Sequence, residues 1–166
     1  MTATPHPDPP ASKVTCGVIT ISDSRTPETD TSGELICRLL LEAGHQVGEY
    51  KIIKDEPDQI EGNLCQLGEQ KNINAIILNG GTGIAPRDTT YDALEKLLEK
   101  TLPGFGELFR ILSYQEIGSR AMASRAVAGV YQNKLIFSLP GSSGAVKLGM
   151  DKLILPEIVH LTSLLS

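Results

Sequence analysis

Tryptophan is absent from this 166-residue chain, and its aromatic residues are only four tyrosines and three phenylalanines. So few rings leave little to stack on nucleic-acid bases, and the core must be filled by Ile, Leu, Val and Ala, as layered α/β folds are. Positive charge is also short. Fifteen Lys and Arg against 20 Asp and Glu give a net charge of −5, whereas a duplex-binding surface needs clustered basic residues, so nucleic acid is excluded as a partner. Cys16, Cys37 and Cys65 are odd in number and show neither CxxC nor zinc-ligand spacing, so they read as buried thiols in a reducing cytoplasm. His6, His45 and His160 are too dispersed for a Cys–His or Ser–His–Asp arrangement to be readable. No run approaches the roughly 18 apolar residues of a membrane span. The opening MTATPHPDPPAS lacks the charged start and apolar run of a secretory signal.

What is present is an ordinary globular composition, 40% hydrophobic and 21% charged, sufficient for one core. Pro5, Pro7, Pro9 and Pro10 predict an extended, disordered tail over residues 1–12, with one domain over 13–166. Residues 14–21 (VTCGVITI) read as a strand buried on both faces. Thr31 with Glu34 suggests a capping box for a helix carrying Leu35, Ile36, Leu39 and Leu40 and ending at Gly44. Residues 47–53 form a second strand, Pro57 opens a second helix, and residues 75–78 (AIIL) form a third strand. A third helix carries Leu94, Leu97 and Leu98, and residues 105–117 form a fourth. Residues 126–131 and 135–139 then read as a hairpin turning at Gln132 and Asn133, before a last helical region interrupted at Pro156. This order predicts a three-layer α/β/α sandwich, its sheet mostly parallel with an antiparallel hairpin added.

In such sheets ligands bind beyond the carboxyl ends of the strands, where loops meet helix N-termini. That rule selects residues 22–33, 54–56, 79–89 and 140–144. In NGGTGIAPRDTT, Gly80, Gly81 and Gly83 permit positive φ and close backbone approach, and Thr82 adds a hydroxyl. The pattern suits a phosphate cradle, although a tight turn alone would also use these residues. It is neither a Rossmann fingerprint, since Pro86 stands at the third glycine, nor a P-loop. Asp55 and Asp88 follow the second and third strands, and together they suggest a Mg²⁺ site beside a phosphate, although each can equally cap a helix. Pro140, Gly141, Ser142 and Ser143 offer a second anion nest, or simply a capping turn. Ser22, Asp23, Arg25 and Asp30 belong to a first loop long enough to cover a ligand. Lys54, Arg87, Arg110, Arg120 and Arg125 are the basic residues near these segments.

Taken together, TISDSR, KDE, GGTGIAPRDTTYDAL, LPGFGELFR, the SRA at residues 119–121 and LPGSSGAVK resemble the MoaB/MogA family of molybdenum-cofactor biosynthesis proteins over residues 13–166. The resemblance implies a molybdopterin-binding fold in which the GGTG loop and the Pro-Gly-Ser turn hold a pterin phosphate. It further implies that Asp55 and Asp88, as a catalytic and metal-binding pair, support adenylation of that phosphate by Mg²⁺ and ATP. Ser22, Asp23, Asp30, Pro86 and Arg87 would join the ligand site. A cytoplasmic homotrimer or hexamer, with a molybdenum-insertion enzyme as a partner, is also implied. Two alternatives stay open: a carrier that binds molybdopterin or a precursor without turnover, and a nucleotide-binding module acting on another phosphorylated substrate.

Overall fold

The computed structural model describes residues 12–166. The expected Pro-rich tail therefore lies outside the described residues, apart from Ser12, which is exposed and belongs to no element.

The β-branched run of β1, Thr15–Ile21, is buried at every position but its first, as a central parallel strand requires. β2 (Gln46–Ile53) and β3 (Ala75–Asn79) flank it in parallel, and β6 (Lys134–Leu139) extends the parallel set beside β3. β5 (Val127–Tyr131) pairs antiparallel with β6, and the short β4 (Lys100–Thr101) pairs antiparallel with β5, giving the order β2-β1-β3-β6-β5-β4. The hairpin turn sits where the sequence places it. Gln132 and Asn133 have φ of +46° and +61°, the left-handed pair of a type I′ turn that matches strand twist. β4 is not legible in sequence, because two exposed residues carry no alternation.

Helices cover both faces. α1 (Thr31–Glu42), α4 (Pro103–Ile117), α5 (Ser143–Gly149) and α6 (Leu155–Ser163) pack on one side, where Ile36, Leu40, Phe109, Val146 and Ile158 meet Val18, Ile77 and Phe137. α2 (Pro57–Gly68) and α3 (Thr90–Leu97) close the other, where Ile60, Leu64, Leu67 and Leu94 meet Ile19, Ile76, Leu78 and Ile136. Alternate side chains of β3 thus feed two separate apolar layers, the three-layer sandwich that the element order predicts.

Three local readings need correction. The cap of α1 is Asp30, whose carboxylate accepts from Gly33 N at 3.0 Å. Thr31 turns away instead and places its hydroxyl 3.3 Å from that of Ser143. The last helical region breaks before Pro156, through a π-helical turn at Met150–Ile154. Proline has no N–H and its ring crowds the carbonyl four residues back, so the preceding turn widens to absorb the mismatch. Of the cysteines only Cys16 is fully buried, Cys37 and Cys65 being half-buried. Burial pushes the Cys16 thiol up to about 12 and the Cys37 thiol to about 11, so neither is a thiolate nucleophile at neutral pH.

Two stability tests follow from this core. Leu78 is fully buried, and Leu78→Ala should cost about 2–5 kcal/mol in chemical denaturation; a loss below 1 kcal/mol would contradict a close-packed site (~0.74 density). His45 is 8% exposed, and its Nδ1 accepts from Val14 N at 3.2 Å. Burial lowers its pKa from the ordinary 6.5. The unfolded chain therefore takes up this proton first, so the stabilisation is complete above pH 6.5 and is lost as pH falls through the lower folded value. His45→Gln should flatten the pH dependence of the melting temperature in that window.

Candidate functional site

The strand order places β2 on one side of β1 and β3 on the other, so the loops leaving β1 and β3 diverge and open a crevice at their carboxyl ends. The GGTG loop and the Pro-Gly-Ser turn meet in that crevice. Gly80 N prolongs the β3–β6 ladder by donating to Leu139 O at 2.9 Å. A Cβ at Gly80, whose φ is +105°, would lie 2.1 Å from Ile21 O, and one at Gly141 would lie 3.3 Å from Gly80 Cα. The two loops approach backbone to backbone.

The remaining glycines of the loop have a reason the sequence does not reveal. Gly81 has φ +68°, and a Cβ there would stand 2.1 Å from Thr90 Oγ1 and 2.5 Å from Asp55 Oδ2. At Gly83 a Cβ would stand 2.8 Å from Asp88 Oδ2. The missing side chains therefore make room for the loop's own backing residues. Carbonyl anchors complete the arrangement: Gly81 O accepts from Thr90 N at 3.2 Å, Thr82 O from Arg125 N at 3.2 Å, and Gly83 O from Arg125 Nη2 at 2.7 Å. With the carbonyls tied back, the amides of Gly81, Thr82 and Gly83 donate to no group among the described residues. A run of unspent N–H donors attracts an anion.

These residues line a cavity of about 330 Å³ together with Pro140, Gly141, Ser142 and Asp88. Its opposite wall comes from α4 and the 3₁₀ turn after it, Gly118–Ala123, and includes Phe109, Ser113, Arg120 and Ser124. Arg120 is exposed and forms no ion pair with a described residue. Ser142 caps α5 by accepting from Ala145 N at 3.2 Å, which leaves its hydroxyl proton to donate. Ser143 faces Ser32 and Thr31 instead.

The two carboxylates stand behind and beside the loop. Asp55 is 6% exposed; its Oδ1 accepts from Thr89 N at 3.1 Å and Thr89 Oγ1 at 2.6 Å, while its Oδ2 faces Gly81. Thr90 Oγ1, beside that oxygen, is buried without a partner. Asp88 spends Oδ2 on Ala85 N at 3.0 Å, a turn that exposes Pro86, and keeps Oδ1 without a partner. Neither residue caps its neighbouring helix: the cap positions are Glu56 and Thr89, without side-chain caps.

The first loop serves mainly to hold the others. Arg87 forms a forked pair with Asp23, at 2.9 and 3.0 Å, and reaches Glu56 at 2.9 Å, which links the loops after β1, β2 and β3. The Arg87 hydrogen bonds, with the Asp55 amide, hold the Asp23 carboxyl below its usual range. Ser22 Oγ accepts from Ser24 N and Arg25 N and so fixes the turn. Asp30, 1% exposed, pairs with Arg25 at 3.6 Å and accepts a short bond from Tyr50 Oη. Arg25 in turn donates to Gly141 O at 2.7 Å. Asp23, Asp30, Ser22, Pro86 and Arg87 are thus grouped around the loops without lining the 330 Å³ cavity. Sequence reasoning gives Phe109, Ser113 and Ser124 no place in the site: Phe109 falls within the LPGFGELFR stretch without a role assigned to it, and for Ser113 and Ser124 the SRA triplet at residues 119–121 is the nearest signal.

Gly81→Ala should destabilise the fold by ~1 kcal/mol or more, since both its positive φ and its crowded Cβ position disfavour a side chain. Denaturant unfolding measures this, and an unchanged midpoint would contradict the backing contacts.

Comparison with known proteins shows the family and agrees with the fold. A family described as a probable molybdopterin binding domain matches residues 17–160. Molybdenum cofactor biosynthesis protein B of Halalkalibacterium halodurans is 57% identical over 89% of this chain and 87% of that protein, and its counterpart in Bacillus subtilis is 55% identical over the same shares. A crystal structure of a molybdenum cofactor biosynthesis protein B superposes with a TM-score of 0.90 at 51% identity, covering 93% of this chain and 96% of that one. The tungsten cofactor synthesizing protein MoaB of Pyrococcus furiosus superposes at 0.82 with 34% identity, covering 92% and 97%. The chain therefore belongs to the molybdopterin-binding domain family of molybdenum cofactor biosynthesis proteins.

Proposed function

We propose that the chain seats the terminal phosphate of molybdopterin between the GGTG loop and the Pro-Gly-Ser turn and adenylates it with ATP. The observation carrying this reading is the row of unspent amides at Gly81, Thr82 and Gly83 on the wall of the 330 Å³ cavity. A phosphate monoester has its second pKa near 6 and is largely dianionic at neutral pH, so its oxygen attacks the α-phosphorus of ATP without a protein base. A new P–O bond forms, the α–β bridge breaks, and pyrophosphate leaves. The chain need only align the reactants and hold the developing charge. Arg120, Thr82 and Ser142 line the cavity and would supply that charge and those hydroxyls, whereas Lys54, Arg87 and Arg110 do not line it.

Asp55 and Asp88 each retain one oxygen without a protein partner, a donor set suited to Mg²⁺, which binds one or two carboxylates and completes its shell with phosphate oxygens and water. No group of three or more potential metal ligands occurs among the described residues, so the ion would depend on the substrate. Asp55 and Asp88 would hold the ion, which would supply neutralisation of charge on a transferring phosphoryl group. Asp55 does not line the cavity, and that favours a second reading: a carrier that holds molybdopterin or a precursor without turnover.

The setting proposed for the domain at residues 13–166 is a cytoplasmic homotrimer or hexamer that passes its product to a molybdenum-insertion enzyme. No helix among the described residues is long and apolar enough to cross a membrane. Leu108, Ile111, Tyr114 and Ile117 on α4 are each more than half exposed, an apolar face of the kind that subunit contacts cover.

Asp55→Asn and Asp88→Asn keep size but remove charge, so turnover with Mg²⁺ and ATP should fall by a factor on the order of 100 or more while pterin binding survives. Parent-like rates would contradict the metal role. A parent protein that never adenylates bound molybdopterin would establish the carrier. Ile111→Glu should shift light scattering from oligomer to monomer, and a monomeric parent at micromolar concentration would contradict the assembly.

A further inference from the structure

The LPGFGELFR stretch forms the start of α4, and the pterin cavity uses only its Phe109. Pro103, Gly106, Glu107 and Arg110 recur at the i, i+3, i+4, i+7 spacing of one helix face, and all four line a separate cavity of about 410 Å³. Gly106 is small for two reasons: a Cβ there would fall 2.8 Å from the backbone oxygen of Ala126, and 2.9 and 3.0 Å from the Arg110 guanidinium nitrogens. The glycine lets the guanidinium fold back along the helix. Once there, Arg110 has two long contacts, 3.4 Å to Ser124 O and 3.4 Å to Ala126 O, and no carboxylate partner among the described residues. A half-buried cation with unspent donors is an unfinished interaction.

Arg125 forms another part of the same wall. Its Nε and Nη2 donate to Gly83 O at 3.2 and 2.7 Å, Nη2 reaches Asp88 O at 3.4 Å, both Nη atoms pair with Asp92 at 3.1 and 3.3 Å, and the group stacks on the Tyr91 ring at 4.8 Å; one Nη1 proton is left, and 27% of the side chain stays exposed. Leu102, Met122 and Val127 supply apolar surface around the two guanidinium groups. Glu107 lies on the exposed rim.

We propose that this cavity is a second anion site, taking the phosphate group of a small organic phosphate between Arg110 and Arg125 and its apolar body against Leu102, Met122 and Val127. The planar fork of Arg110, with the one Nη1 proton that Arg125 keeps beside its Asp92 pair, suits the charge and geometry of a phosphate dianion better than those of a monocarboxylate. The occupant also touches the residue that clamps Gly83, so the second site adjoins the pterin loop through Arg125 while remaining independent of what that loop holds.

The test is a phosphate titration of the full chain, followed by NMR of the arginine Nε–H signals at constant ionic strength. Arg110 and Arg125 should move together and saturate, and phenyl phosphate, with its apolar body, should saturate them at lower concentration than inorganic phosphate. Arg110→Met keeps the packing stem and removes the charge, so phosphate should bind Arg125 at least about tenfold more weakly. The Arg120 signal reports separately on the pterin cavity. Arg110 signals that stay still while Arg120 moves would overturn the proposal, as a second copy of the chain covering the cavity would produce. Equal response to chloride, or parent-like titration of Arg110→Met with its fold intact, would overturn it too.

Discussion

The parallel pairing of β3 with both β1 and β6 is the constraint on which the site depends. Register fixes Thr20 against Asn79 and Asn79 against Leu139, so three strands end level with one another. Because the ladder runs one residue further, from Gly80 N to Leu139 O, the GGTG loop starts in contact with the Pro-Gly-Ser turn. Gly80 tolerates no Cβ because Ile21 O, at the end of β1, would lie 2.1 Å from it, and a Cβ on Gly141 would press on Gly80 Cα at 3.3 Å. Asn79, fully buried, ties the strand ends from within by donating to Thr20 Oγ1 at 2.9 Å.

On that frame the charges divide into two groups. Arg87, Arg25 and Arg125 are engaged by protein acceptors, and each fastens one loop to another. The Arg87 cluster is exposed, with side-chain accessibilities of 58% and 43% for Arg87 and Asp23, so its value lies in register more than in stability. Arg120 and Arg110 have no carboxylate partner among the described residues, and each lines a cavity. An acidic chain can thus present local positive sites to small anions without a basic surface that would attract nucleic acid.

Most of the fold was legible because each element carries its own signal: β-branched runs for β1 and β3, Pro57 at the start of α2, and Gln132-Asn133 at the hairpin turn. What escaped depended mostly on partners distant in sequence, the α1 cap being a local exception. The cap of α1 was misread since Thr31 and Glu34 satisfy the spacing rule, whereas Asp30 is the residue whose carboxylate reaches Gly33. Gly80 and Gly81 adopt the positive φ that glycine permits, whereas Gly83 does not; their Cβ directions, toward Ile21 O, toward Thr90 and Asp55, and toward Asp88 respectively, are set by tertiary packing. The α4 wall of the site was invisible for the same reason. Phe109 and Ser113 look like ordinary helix residues until the chain folds α4 across the crevice.

The central claim is that backbone amides of the GGTG loop, freed by carbonyl anchors behind them, hold the pterin phosphate. A crystal structure of the chain with molybdopterin bound tests it directly. The account predicts phosphate oxygens about 2.7–3.2 Å from the amide nitrogens of Gly81, Thr82 or Gly83, with the Ser142 side of the turn opposite. A phosphate seated elsewhere, with those amides facing only solvent, would contradict it.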